Sequence, residues 1–160
     1  MERMLNEYLE FSRNQKNEDT EIVDINSLIL DVVKKYDTEK IKTNFDKNIK
    51  IHLRQNTFKR CLSNLIDNGL SYGKEVKIST KKTIKDLIIL VDDDGPGIPK
   101  EEYEKVIKPF YRIDKSRGQN KSGVGLGLSI ANDIIRSHGG NISLDKSPLS
   151  GLRVKISLPL

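Results

Sequence analysis

Residues 122–128 read Ser-Gly-Val-Gly-Leu-Gly-Leu, with glycines at alternate positions, Gly123, Gly125 and Gly127. Without Cβ atoms, that backbone can adopt positive φ and bring its N–H groups close to a ligand. An apolar run follows at once: Leu126, Leu128, Ile130, Ala131, Ile134 and Ile135, spaced as on one face of a helix. A helix N-terminus carries unpaired N–H groups and a partial positive charge, so glycines opening a helix suit a phosphate chain. The pattern is not the dinucleotide fingerprint, because the third glycine comes one residue too early and a polar stretch, not a strand, precedes it. It is not a P-loop, because no Gly-Lys-Ser/Thr follows. The plain alternative is a flexible loop ahead of a surface helix, and the rest of the chain decides between the two.

The 160 residues suit one domain plus a short appendage, and such a length encloses a core without metal or disulfide support. Cys61 is the only cysteine, which excludes an internal disulfide and fits a reducing compartment. The chain has no run of about 18 apolar residues and no signal-peptide pattern. A soluble polypeptide is therefore expected, which a membrane-anchored parent can still carry. The net charge is +5 with the two signs well mixed. That balance suits an anionic ligand and equally a solvated basic surface. Nucleic acid is disfavoured as a partner, since no aromatic-basic stacking pattern or helix-turn-helix signal occurs.

Residues 1–16 read as a helix, with Met1, Met4, Leu5, Tyr8 and Phe11 on one seam. Such a run is too short to be stable alone, so it reads as the end of a longer helix. Residues 14–20 form a polar linker. A short strand over 21–25 precedes a helix from an Asn26 cap to about Tyr36. Residues 41–45 and 49–53 alternate as half-buried strands around a turn at 46–48. Asn56 can cap a helix to about Tyr72, with Phe58, Leu62, Leu65, Ile66 and Gly69 inward. Asn64 and Asn68 lie four apart on one edge of that stripe, and Tyr72 continues the edge. Two poor helix formers there call for a reason, the bland one being solvated or locally bonded amides.

Residues 75–80 and 87–91 read as an antiparallel pair, the second nearly all apolar and so central. It runs into Asp92-Asp93-Asp94-Gly95-Pro96-Gly97-Ile98-Pro99, where three consecutive carboxylates repel one another; a plain Gly-Pro turn is the alternative. Pro99 suits the first turn of a short helix. The helix from about Leu126 ends at His138-Gly139-Gly140, with Gly139 as a left-handed C-cap and His138 as a helix-end cation on the dipole. His52 reads as a sheet residue. Residues 141–144 and 152–158 are the last strands. Without regular βαβ alternation, the expectation is an α+β two-layer sandwich: a mixed, mainly antiparallel sheet with helices on one face.

Three stretches occur together and in order: Asn64-Leu-Ile-Asp-Asn68, Asp93-Asp-Gly95-Pro-Gly97-Ile98, and Gly123-Val-Gly125-Leu-Gly127-Leu128, with Phe110 between the last two. Together they resemble the N, G1, F and G2 boxes of the catalytic ATP-binding domain of sensor histidine kinases, in the GHKL ATPase superfamily with its Bergerat fold. Lys59-Arg-Cys-Leu-Ser-Asn-Leu-Ile-Asp-Asn68, Tyr72-Gly73 and the compact lid are most similar to osmolarity sensors of the EnvZ type. The resemblance covers about residues 20–160, within a catalytic domain expected over 17–160. Residues 1–16 resemble the end of a dimerisation and phosphoacceptor helix with its linker.

The resemblance implies ATP and Mg²⁺ as cofactors. Asp93 would accept a hydrogen bond from the adenine amine, and Gly95 and Gly97 would let backbone and water approach the purine. Asn68 would offer a neutral oxygen to the metal, a hard ligand of the kind Mg²⁺ takes. Asn64 lies on the phosphate side; Tyr72 would touch phosphate or sugar, and Ile98 and Tyr111 complete the nucleotide contacts. Arg112 and Arg117 would reach the γ-phosphate, a role suited to charge-assisted bidentate bonds. Together with Asn68 they are the expected catalytic residues. Gly123, Val124, Gly125, Leu126, Gly127 and Leu128 would supply backbone N–H groups and hinge the lid. Implied partners are the phosphoacceptor domain of the same kinase and a response regulator. The implied parent is a homodimer in the bacterial inner membrane, with this portion cytoplasmic.

Three departures stand out: Ser71 where Lys or Arg is common, Arg54-Gln55 for Gly-Asp, and Leu152 after Gly151 where Thr is frequent. A hydrolytic GHKL relative, such as a chaperone, gyrase or mismatch-repair ATPase, is the alternative. Those carry a general-base Glu four residues before the metal Asn. Here that position is Asn64, an amide that takes no proton, and Asp67 points about 100° away around the helix. A non-catalytic nucleotide-binding module is a third reading.

Overall fold

The computed structural model describes residues 18–108 and 127–160. The expected helix over 1–16, Phe110, Tyr111, Arg112, Arg117, Gly123, Val124, Gly125 and Leu126 lie outside the described residues. The elements run β1 (Glu21–Asp24), α1 (Ile25–Val33), β2 (Ile41–Asn44), β3 (Lys50–Leu53), α2 (Gln55–Tyr72), β4 (Val76–Lys82), β5 (Asp86–Asp93), a 3₁₀ turn (Lys100–Glu102), α3 (Gly127–Ser137), β6 (Asn141–Lys146) and β7 (Leu152–Pro159). Five strands form one sheet in the order β2-β4-β5-β7-β6. Only β2–β4 is parallel; the other three pairings are antiparallel. The sheet is thus mixed and mainly antiparallel, with β5 at its centre as its apolar composition predicts.

Alternation along the strands fixes which face is inward. Ile78, Leu87, Ile89, Ile156 and Leu158 are fully buried, and they meet Phe58, Leu62, Ile66, Ile134 and Ile135 from the helices. The helices therefore lie on one face of the sheet, with α2 packed against both α1 and α3. Burial this complete makes the core the main source of stability, and truncating Phe58 to Ala would cost about 3–5 kcal/mol.

Several boundaries differ from the sequence expectation for identifiable reasons. Residues 41–44 and 50–53 flank one turn but join different sheets. β3 pairs antiparallel with β1 in a separate two-stranded ribbon, while β2 borders β4. The N-cap of α1 is Asp24, whose carboxylate accepts from Ser27 N at 3.1 Å. Asn26 is therefore not the cap; its amide donates to Asp46 O at 2.6 Å and accepts from Thr80 Oγ1 at 3.1 Å. That amide ties α1 to the far end of the sheet, a long-range contact that local propensity cannot reveal.

The N-cap of α2 is Arg54, which makes no side-chain cap bond, so Asn56 is not the cap either. The carboxylate of Glu18 takes that place, accepting from Asn56 N at 2.7 Å, Thr57 N at 2.8 Å and Thr57 Oγ1 at 2.6 Å. Helix α3 ends as expected, with Gly139 at φ +78°, the left-handed position that glycine fills without strain.

Candidate functional site

Helix α2 supplies one wall of the site. Gly69 packs against the sheet so tightly that a Cβ there would lie 2.7 Å from Val76 Cγ2 and 3.4 Å from Asp93 Cβ. This brings Asp93, at the end of β5, against the middle of α2. One turn further on, the backbone carbonyl of Tyr72 meets the Gly95 turn, where a Cβ would lie 2.9 Å from Tyr72 O. Five residues before Gly69, the Asn64 carbonyl lies 3.9 Å from a Cβ built on Gly127, so Asn64 neighbours the N-terminus of α3. The edge Asn64, Asn68 and Tyr72 therefore runs from the α3 N-terminus to the Asp93–Gly95 turn. Tyr72 is exposed and the two asparagines are half-buried.

The three consecutive carboxylates do three different things. Asp92 points to the opposite face of the sheet and is 2% exposed. Arg153, its partner across β7, donates to it twice, Nε to Oδ1 at 2.7 Å and Nη2 to Oδ2 at 3.0 Å. Asp94 turns back onto the end of α2 and accepts from Lys74 N at 2.7 Å and Glu75 N at 2.9 Å. Those hydrogen bonds, that from Glu75 N foremost, hold its carboxyl below the usual range.

Asp93 alone faces the helices. Its Oδ1 accepts from Gly95 N at 2.9 Å and Leu152 N at 3.1 Å, leaving Oδ2 toward Gly69. Burial, with the neighbouring charges of Asp94 and Asp92, raises its pKa despite those two bonds. A desolvated carboxylate with one oxygen held and the other turned toward α2 is an acceptor prepared for a neutral N–H donor. The bond from residue 152 comes from the backbone, so Leu in place of Thr leaves it intact.

Gly151 makes this arrangement possible, a role that its local sequence does not disclose. A Cβ there would run into Asp93 Oδ1 and lie 2.6 Å from Gly95 N. Gly73 is similarly closed, with a Cβ 2.8 Å from Gly95 N. Gly97 adopts φ +72°, so it needs to be glycine for its backbone as well. Ile98 packs half-buried against the core. Gly127 differs: among the described residues only Asn64 O comes within 4 Å of a Cβ, at 3.9 Å. Leu128 puts its side chain into the core at the start of α3, leaving only its backbone for a ligand.

The Nδ2 atom of Asn64 is buried and, among the described residues, is the one such side-chain atom without a hydrogen-bond partner. An unmade bond of this kind costs about 1–3 kcal/mol. The backbone carbonyl of the same residue borders the α3 N-terminus, where backbone N–H groups and the dipole favour an anion. An orphaned donor on a residue that borders an electropositive helix end fits a phosphate oxygen. Among the described residues no cluster of three His, Cys, Asp or Glu side chains could hold a metal. A Mg²⁺ ion here would rest on the Asn68 amide oxygen, water and phosphate oxygens, a donor set suited to a hard cation.

Asp67 is excluded from this edge, as its helical angle predicts: it accepts from Tyr36 Oη at 2.7 Å. Burial first, then that carboxylate, push the Tyr36 hydroxyl up to about 12. His138 departs from expectation. It is half-buried, Nδ1 lies 2.7 Å from Ile134 O, and Nε2 accepts from Arg54 N at 3.1 Å. Burial lowers its pKa, so it is a neutral bridge between α3 and α2 and not a helix-end cation.

Residues 53–160 match the family described as histidine kinase-, DNA gyrase B- and HSP90-like ATPases. The chain belongs to this family. Among its relatives, the sensor histidine kinase GtrS of Pseudomonas aeruginosa is 44% identical over 101 residues, which cover 63% of this chain and 20% of GtrS. The sensor histidine kinase CpxA of Escherichia coli is 32% identical over 170 residues, covering all of this chain and 37% of CpxA. The chain thus spans well under half the length of these relatives. The solved histidine kinase domain of the E. coli osmosensor EnvZ superposes with a TM-score of 0.66 at 29% identity, covering 89% of each chain. This ATPase-family chain is an ATP-binding catalytic domain homologous to those of sensor histidine kinases, and the hydrolytic alternative is not favoured. No helix among the described residues is long and apolar enough to cross a membrane.

Proposed function

We propose that this domain binds Mg·ATP and presents the γ-phosphoryl to a histidine on a phosphoacceptor domain, for relay to a response regulator. The observation that carries the reading is at residue 64: a buried amide with an unused donor, on a residue whose backbone carbonyl borders the α3 N-terminus, where a hydrolytic relative would hold a carboxylate base. An amide can bind and orient a phosphate oxygen but cannot deprotonate water. Asp93 would hold the adenine amine, and Asn68 would supply the metal oxygen. When bound, Mg²⁺ neutralises charge on the phosphates; the protein's part is positioning and electrostatic support, as phosphoryl transfer generally requires.

Arg112 and Arg117 are the proposed γ-phosphate ligands, and Tyr72, Tyr111 and residues 123–128 the proposed lining and lid. His52 lies exposed on β3 and His138 is engaged at both nitrogens, so neither has the setting of an acceptor. The parent is proposed to be a homodimer in a bacterial inner membrane, with this domain on the cytoplasmic side. The test is incubation with γ-labelled ATP, with and without a separately supplied phosphoacceptor domain. Acid-labile label should pass to the acceptor, with none on this chain and little free phosphate. Rapid phosphate release without an acceptor would establish the hydrolytic reading instead.

A further inference from the structure

Helix α2 begins without a cap of its own. Arg54 occupies the N-cap position but its side chain makes no cap bond. The N–H groups that an N-cap side chain would ordinarily take are those two and three residues on, here Asn56 and Thr57. Both donate to Glu18, at 2.7 and 2.8 Å, from a segment 38 and 39 residues earlier in the chain. The Thr57 hydroxyl adds a third bond at 2.6 Å. Burial alone would raise the Glu18 carboxyl, but the bonds from Thr57 and Asn56 and the charge of Arg54 outweigh it and hold the group below its ordinary range. The Arg54 N–H, two donors back from Asn56, goes to His138. Three N–H groups at the start of α2, those of Arg54, Asn56 and Thr57, are thus satisfied from outside the helix.

We propose that Glu18 is a latch that fixes where the chain enters this domain. While its carboxylate sits on α2, residues 18–20 are held against the helix that carries Asn64, Asn68 and Tyr72. When it leaves, α2 loses its cap and residues 18–20 are released from the helix. A local cap would separate the two consequences. An aspartate at residue 54 could take the same two N–H groups from within the helix, and its charge would repel Glu18. The consequence for phosphotransfer rests on the function proposed above; the latch itself does not.

The test uses the full chain with a nitroxide on Thr20→Cys, the native Cys61 being buried. In Glu18→Ala the label should become mobile, Tm should fall by a few degrees, and the Asn56 and Thr57 amides should exchange about five- to tenfold faster. In Arg54→Asp the label should also become mobile, but Tm and those amides should stay near wild type, with ATP affinity within about twofold. An immobile label in Glu18→Ala, or unchanged exchange at Asn56 and Thr57, would overturn the latch. So would a label that stays immobile in Arg54→Asp. None of these readouts depends on kinase activity, so failure of the proposed function would leave them standing.

Discussion

Gly151 and Asp93 are in backbone contact across the end of the sheet: Gly151 N donates to Asp93 O at 3.2 Å, and no side chain fits between them. Gly151→Ala should push the Asp93 carboxylate out of place and cost about 1–3 kcal/mol of stability, the range for forced overpacking. ATP binding should fall with it. Gly127→Ala is the control, because among the described residues its Cβ would make only an ordinary contact, 3.9 Å from Asn64 O, and should leave the fold intact. Urea melts of both variants check this; equal losses would mean that the close contact at Gly151 has no energetic consequence.

Asp93→Asn separates binding from folding. Asparagine keeps the Oδ1 acceptor for Gly95 N and Leu152 N and removes a buried charge beside Asp92 and Asp94. The variant should therefore fold at least as stably as wild type at neutral pH. It should lose one to two decades in ATP affinity, because the adenine amine would face an N–H where it needs an acceptor; about 1–3 kcal/mol is the usual penalty. Wild-type affinity by calorimetry would remove Asp93 from the adenine site.

The β4–β5 pair with β5 central, the inward stripe of α2 and the Asp93–Gly97 turn were legible because each follows from short-range periodicity or from a motif; the parallel β2–β4 pairing and the separate β1–β3 ribbon were not, because they join residues far apart in the chain. The division of labour among Asp92, Asp93 and Asp94 was not: Arg153 lies 61 residues from Asp92, and nothing local distinguishes it from a surface arginine. The same reason hid Glu18, whose distant carboxylate replaced the cap expected at Asn56. Gly151 carried a faint signal, a glycine after a turn, but its role depends on which strand end it meets. His138 was misread because a helix C-terminus suggests a cation, whereas burial and an N–H from Arg54 demand a neutral ring.

Arg153→Ala should be among the more damaging changes outside the nucleotide site. It leaves Asp92, 2% exposed, without its bidentate partner. Breaking one side of such a pair costs about 3–5 kcal/mol, and the partial exposure of Arg153 puts the expectation at about 3. Arg153→Lys should recover only part, since an ammonium cannot make the planar two-bond fork. A double variant, Asp92→Asn with Arg153→Ala, should be more stable than Arg153→Ala alone; if it is not, the unpaired charge is not the cause.

His138 makes the fold sensitive to mild acid. Burial lowers its pKa and so does the Arg54 charge, opposed by the Ile134 carbonyl and the Glu18 carboxylate. The folded-state value thus lies below the unfolded one of about 6.5. Above that value neither state binds the proton, and the stabilising contribution is fully present. As pH falls below about 6.5 the unfolded chain takes up a proton that the folded ring resists, so stability declines until the folded value is passed. The physical event is loss of the Nε2 acceptor: a protonated ring would point an N–H at the Arg54 N–H that now donates to it at 3.1 Å. Glu18 titrates in a separate, more acidic window, because its lowered pKa means that its contribution is lost only below the ordinary carboxyl range. His138→Gln retains polar atoms but does not titrate, and it also gives up the edge contact with Phe58. It should therefore be less stable than wild type near neutrality, yet its Tm should change less between about pH 7 and about pH 5.5. Parallel Tm curves for the two proteins over that interval would show that His138 is not the titrating group.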